Sequence, residues 1–169
     1  MNKINYLQGD VLEPVKIAGK TNLIVHCVNN VYSFGSGVAG AIAKKWPNVR
    51  EAYMNRASWS LGDIQYVKID SVTCIVNLRG QRSVGNFYET IPVRYESIED
   101  GLIFLREDIR NKNAFNKVIV NLPRIGCGRA KGNWDLVEKI IEKVYNSIDI
   151  TINVYTLKED LHLYERKNK

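Results

Sequence analysis

Residues 120–141, VNLPRIGCGRAKGNWDLVEKII, pass from one periodicity to another. An apolar, β-branched run ends at Leu122 and breaks at Pro123. Apolar residues then resume after Asn133 at helical spacing. Between the two stand Gly126, Cys127 and Gly128, with Arg124, Arg129 and Lys131 around them. A buried strand, a glycine loop with cations and then a helix start presents backbone N–H groups to an anion, and the helix dipole adds partial positive charge. The alternative is a tight turn that binds nothing.

A second stretch repeats this order. NLIVHCV (22–28) is an apolar run that reads as a buried central strand, and a glycine loop, Gly35-Ser36-Gly37, follows it. Val38, Ala41, Ile42 and Lys45 then fall at helical spacing. Neither loop matches GxxxxGK[ST] or GxGxxG, so ordinary P-loop and dinucleotide fingerprints are excluded. Two such loops at one sheet edge suit a diphosphate.

Outward from these stretches, strands are expected over 3–8, 61–70, 72–78, 117–122 and 150–157. Pro47 opens a helical segment to about Ala57. Ser97 is positioned to cap a helix over 98–111, and Asn133 one over 134–146. Residues 79–94 have no period and read as a long loop. Strands alternating with helices imply an α/β sheet covered on both faces, with ligands outside the carboxyl ends of its strands.

Composition narrows the classes. The 169 residues suit one domain spanning 1–169, with 45% hydrophobic and 25% charged residues. No apolar run approaches the roughly 18 residues of a membrane span, and the N-terminus lacks a signal peptide's apolar centre. The expected location is the cytoplasm. Three cysteines without a CxxC pair and two histidines argue for reduced thiols and against a metal site. No cofactor is expected. The net charge of +6 is scattered except in the terminal ERKNK, which fits a solvated basic surface better than a nucleic-acid partner. A monomer is expected.

The blocks LQGDVL (7–12), NLIVHCVN (22–29), FGSGVAGAIAKKWP (34–47), LPRIGCG (122–128) with the following tryptophan, and a terminal VYTL (154–157) together resemble a macro domain. The nearest likeness is to the small ADP-ribose-processing members: yeast-type ADP-ribose 1″-phosphatases and human-type terminal ADP-ribose hydrolases. Compact members also occur in bacteria and phages, so the cytoplasm would be a bacterial host's if the chain is phage-encoded. The resemblance implies a three-layer α/β/α fold with a mixed central sheet of about six strands, and a pocket for ADP-ribose. By position, Asp10 would accept from the adenine amino group with the Val11 amide assisting, and Leu157 would pack against adenine. Gly35, Ser36, Gly37 and Val38 would form one wall of a diphosphate cradle. Ile125, Gly126, Cys127 and Gly128 would form the other, with Arg129 at the rim. Asn29 would contact the distal ribose. Plainer roles stand beside these. Asp10 after Gly9 suits a turn, and Cys127 suits a place where backbone must approach phosphate better than it suits a nucleophile.

The chemistry is less fully implied. Human-type members use a lysine after the middle strand and an aspartate after GCG. Here Arg79 and Gly80 stand near the first position and Ala130 at the second. Arginine stays protonated and cannot serve as a Schiff-base amine. His26 matches the yeast-type phosphatases. It can act in proton transfer together with Asn29, or it can be a satisfied core histidine. Along a regular strand these two residues face opposite ways. The expected activity is hydrolysis of ADP-ribose 1″-phosphate to ADP-ribose and phosphate. The alternatives are an ADP-ribosyl hydrolase or a binding module for ADP-ribose or a related nucleotide.

Overall fold

The computed structural model describes residues 4–83, 91–128 and 130–165. Six strands form one sheet in the order β1-β6-β5-β2-β4-β3. They are β1 (Ile4–Gln8), β2 (Thr21–Asn29), β3 (Ile64–Lys68), β4 (Thr73–Gln81), β5 (Val118–Leu122) and β6 (Thr151–Thr156). Only β3 runs antiparallel to its neighbour; the other pairings are parallel. The sheet is therefore mixed, as expected.

Helices α1 (Gly37–Lys45) and α2 (Pro47–Asn55) cover one face. There Ile24, Val28 and Ile75 of the sheet pack with Ile42, Val49 and Tyr53. Helices α3 (Tyr95–Asn111) and α4 (Trp134–Val144) cover the other, where Val25, Val76 and Val120 meet Leu102, Leu105, Val137 and Ile141. Successive strand residues point to opposite faces, so the unbroken apolar runs of β2 and β5 serve both layers. The result is a three-layer α/β/α fold.

Several boundaries differ from the expectation. Strand β3 covers only five residues of 61–70, because 61–63 form a turn in which Gly62 N–H donates to the Arg79 carbonyl at 2.7 Å. Strand β4 runs on through Arg79, Gly80 and Gln81, and Gln81 bridges to Val93, so the supposed loop begins and ends as paired backbone. Residues 84–90 lie outside the described residues. Helix α3 starts at Tyr95, and Ser97 is a buried residue inside it rather than its cap. Arg94 holds the cap position because its N–H is tied to the Gly80 carbonyl at 2.8 Å, which fixes where the helix can begin. Asn133 does cap α4, its side chain accepting from Asp135 N–H at 2.9 Å. After β6 the chain makes a 3₁₀ turn over Lys158–Leu163 that no periodicity announced.

Four adjacent parallel strands, β1, β6, β5 and β2, end at one edge of the sheet. The segments that follow them must therefore meet there.

Candidate functional site

Those segments enclose a cleft of about 720 Å³, within the range of sites that bury an organic ligand. Residues 9–12 after β1, 33 and 35–39 after β2, 123–126 and 128 after β5, and 155–157 at the end of β6 line it.

Asn29 builds the first wall. Its Oδ1 accepts from Val31 N–H at 2.9 Å, Ser33 N–H at 3.2 Å and the Tyr53 hydroxyl at 2.7 Å. Its Nδ2 donates to the Ser33 carbonyl at 2.6 Å. Its Oδ1 is thus spent on shaping the loop, while the residue also lines the cleft. Gly40 lets α1 sit tightly on this loop, since a Cβ there would come within 2.9 Å of the Gly35 carbonyl oxygen. Gly35, Ser36, Gly37 and Val38 all face the cleft. Among the described residues nothing accepts from their N–H groups, which are those of a helix start.

The second wall follows Pro123. Ile125 N–H donates to the Pro123 carbonyl at 2.7 Å, and the Gly126 carbonyl accepts from Gly132 N–H at 2.7 Å. Gly126 has φ +73°, and a Cβ there would meet Val93 Cγ2 at 2.9 Å and Ile98 Cδ1 at 3.0 Å, away from the cleft. Ile125, Gly126 and Gly128 line the cleft; Cys127 does not. This corrects the place expected for Cys127. The turn directs its side chain to the α3–α4 core, its thiol donates to the Ile125 carbonyl at 3.4 Å, and its N–H is taken by the Arg124 carbonyl at 3.2 Å. Burial pushes the thiol up to about 12, so it stays protonated. Arg129, expected at the rim, lies outside the described residues.

At the far end, Gly9 N–H donates to the Thr156 carbonyl at 2.9 Å, and Asp10 Oδ1 accepts from Leu12 N–H at 2.9 Å. Asp10 is therefore a turn residue and a lining residue at once, and its exposed carboxylate stands at the cleft. Val11 is buried beneath it. Leu157 lines the cleft from just beyond the strand it was expected to close. Sequence reasoning marked Arg124 only as one of the loop's cations and gave no site role to Tyr155, Thr156, Asp160 or Tyr164; all five line this end. Arg124 was legible beside the glycine loop; Asp160 and Tyr164 follow the last strand, where no pattern marks them.

His26 lies at the floor of the cleft, 1% exposed, with its ring edge-on to Phe34. Its Nε2 is 2.5 Å from Asn77 Oδ1. Asn77 Nδ2 donates to Gln65 Oε1 at 3.0 Å, and Gln65 Nε2 donates to the Ala52 carbonyl at 2.9 Å. This chain leaves Asn77 Oδ1 as an acceptor, so the proton sits on Nε2. His26 Nδ1 keeps a lone pair and has no partner. Burial pushes the imidazole down to about 4, against the smaller effect of Asn77. The ring is neutral at pH 7 and is not an acid there. His26 and Asn29 were expected to face opposite ways. Pairing with β4 slips at Gly80 between Val28 and Asn29, and both side chains reach the same Phe34–Tyr53 aromatic layer.

Arg79 is 4% exposed and does not line the cleft. Its guanidinium donates to the Trp59 carbonyl at 2.5 Å and lies 4.0 Å from the Trp59 ring. Ala130 borders the cleft while packing into the α3–α4 core. Neither supplies a reactive group to the cleft.

No family model matches the chain. An uncharacterized 17.5 kDa protein of Enterobacteria phage T4 is 30% identical over 159 residues, covering 88% of this chain and 94% of that one. The ADP-ribose glycohydrolase OARD1 of Homo sapiens is 27% identical over 156 residues, covering 92% and 93%. An ADP-ribose 1″-phosphate phosphatase of Lodderomyces elongisporus is 24% identical over 164 residues, covering 91% and 98%. Among solved structures, a macrodomain protein of Streptomyces coelicolor superposes with a TM-score of 0.74 at 28% identity, covering 91% of this chain and 98% of that one. These likenesses span almost the whole of each chain, and the chain belongs to the macro domain family, among the small members that the glycohydrolase and phosphatase represent.

Proposed function

We propose that this macro domain binds ADP-ribose and hydrolyses ADP-ribose 1″-phosphate to ADP-ribose and phosphate. The observation that carries the binding is the cleft itself. One glycine wall presents, at a helix start, N–H groups that have no acceptor among the described residues, a second glycine wall stands opposite it, and the Asp10 carboxylate lines the same cleft. In this reading Asp10, Val11 and Leu157 hold adenine. Gly35 to Val38 and Ile125, Gly126 and Gly128 hold the diphosphate. The distal ribose lies over the end of β2, at His26 and Asn29. The names of the phosphatase and glycohydrolase relatives support the hydrolytic step. In that step a water oxygen bonds to phosphorus, the bond from phosphorus to the 1″ oxygen breaks, and that oxygen takes a proton. His26, neutral with a free Nδ1 lone pair, suits the role of acceptor for the water's proton, not of donor.

The state of four residues favours a second reading, a binding module without turnover. His26 Nδ1 is shielded, Asn29 Oδ1 already accepts three hydrogen bonds, Ala130 offers only a methyl group to the cleft, and Arg79 is buried outside it. Calorimetry with ADP-ribose followed by phosphate release from ADP-ribose 1″-phosphate separates the two. Binding with slow release that falls at least tenfold in His26→Ala supports the enzyme; binding without release over hours selects the module. Release of ADP-ribose from a modified protein would mark the hydrolase alternative. Binding to neither ligand overturns the site. We further propose a cytoplasmic monomer: three free thiols suit a reducing compartment, and size exclusion tests the monomer. Among the described residues no helix is long and apolar enough to cross a membrane.

A further inference from the structure

We infer that Arg124 is a further ligand-contacting and specificity-determining residue, a fixed guanidinium that meets the phosphate nearer the adenosine. The inference rests on the ADP-ribose reading of the cleft. Among the described residues, the charged side chains lining the cleft are Asp10, Asp160 and Arg124, so Arg124 is the one cation there. It directly precedes the second glycine wall and reaches across to β6, where its Nε donates to Thr156 Oγ1 at 3.1 Å. Thr156 in turn accepts through its carbonyl from Gly9, beside Asp10. Arg124 thus stands between the diphosphate wall and the adenine end.

Its position is held from several sides. The guanidinium carbon lies 4.2 Å from the Tyr164 ring, 5.0 Å from Trp134 and 5.1 Å from Tyr6. Tyr6 and Trp134 are themselves packed edge to face, 6.4 Å between centroids. No carboxylate among the described residues forms an ion pair with Arg124. The aromatic rings stabilise the cation without neutralising it, and its planar fork loses little further freedom when it meets an oxyanion. The Nε bond to Thr156 leaves the two terminal nitrogens to bind the ligand. A cation on a wall that otherwise offers backbone N–H groups and two carboxylates discriminates for a phosphate-bearing adenosine ligand and against a neutral nucleoside.

The test is calorimetry with ADP-ribose at several salt concentrations on the wild type, Arg124→Met and Arg124→Lys. Arg124→Met keeps the apolar stem and removes the charge. It is expected to weaken ADP-ribose by about tenfold or more and to flatten the salt dependence of the dissociation constant, since one screened charge is lost. Arg124→Lys keeps a charge without the fork and is expected to lie between the two. Wild-type affinity in Arg124→Met, or a loss with an unchanged salt slope, shows a role in packing alone and overturns the inference. Should Arg124→Met fail to fold, Arg124→Lys with wild-type affinity and slope supports a point-charge contact, and a lysine variant that loses affinity without a change in slope overturns it. A wild type that binds no ADP-ribose at any salt overturns the reading of the cleft itself, an outcome distinct from these.

Discussion

Glycines in a phosphate-type loop occupy their positions for different reasons, and the structure separates them. A Cβ at Gly35 or Gly128 meets nothing within 4 Å and neither residue has a left-handed φ, so a side chain there would stand in or beside the cleft. At Gly126 the backbone is left-handed and the Cβ would press on Val93 and Ile98. Gly35→Val and Gly128→Val are therefore expected to lose ADP-ribose affinity at nearly unchanged melting temperature. Gly126→Val should lower the melting temperature through strain and overpacking of about 1–3 kcal/mol, whatever the ligand does. A stable Gly126→Val, or a Gly128→Val with full affinity, contradicts this division. Spacing alone had made the glycines equivalent, because it shows where a loop is and not which way a Cβ points. His26 was legible as a candidate for the same reason that it was ambiguous: its partner Asn77 is 51 residues away. Its titration has a signed consequence. The folded-state value near 4 lies below the ordinary 6.5, so the unfolded chain takes up the proton first as pH falls. The His26 contribution is intact above about pH 6.5 and is lost towards pH 4, on the order of 3 kcal/mol in full. Thermal unfolding between pH 7.5 and about 4.5 should show an acid slope that is reduced in a folded His26→Gln variant. An identical slope in that variant would remove His26 as its source.

At the scale of elements, the two helix caps show what a local signal can and cannot carry. Asn133 follows a loop free to place it, and its side chain reaches Asp135 N–H at 2.9 Å. Ser97 has an equally good capping side chain, yet the backbone bond from Arg94 to Gly80 starts α3 before it. A long-range contact overrode a local preference there. Asn133→Ala is expected to cost about 1 kcal/mol in urea unfolding. Ser97→Ala should show no loss of that kind, because no capping bond exists to remove. Equal losses in both would mean that the helix starts are assigned wrongly. The same contact explains why residues 79–81 did not look like a strand. Gly80 breaks the apolar run, but α3 needs that glycine, since a Cβ there would lie 2.7 Å from Ile98 Cγ1. The strands and helices that flank the glycine loops were readable because burial on both faces and helical spacing are local patterns. Strand order was not, because pairing joins segments such as β1 and β6 from opposite ends of the chain.

The whole molecule explains why weak local signals add up to one site. The adjacent parallel strands β1, β6, β5 and β2 carry residues 9–12, 155–157, 123–128 and 33–39 to one edge, so blocks that are far apart in sequence become the walls of one cleft. The order of those blocks along the chain was legible; their enclosure of about 720 Å³ depends on the strand order and was not. The cleft is assembled from four segments, and a ligand bridging them should stabilise the folded state as a whole. For a ligand that binds only the folded chain, a concentration of about 100 times the dissociation constant adds about 2.7 kcal/mol. In a domain of 169 residues that corresponds to a rise of roughly 5–10 °C in melting temperature. ADP-ribose is expected to give this rise in differential scanning fluorimetry, growing with the logarithm of its concentration. Hydrogen exchange should slow most in residues 9–12, 33–39, 123–128 and 155–157 together. Protection confined to one of these segments would show that the ligand rests on a single loop, and the diphosphate would then not lie between the two glycine walls.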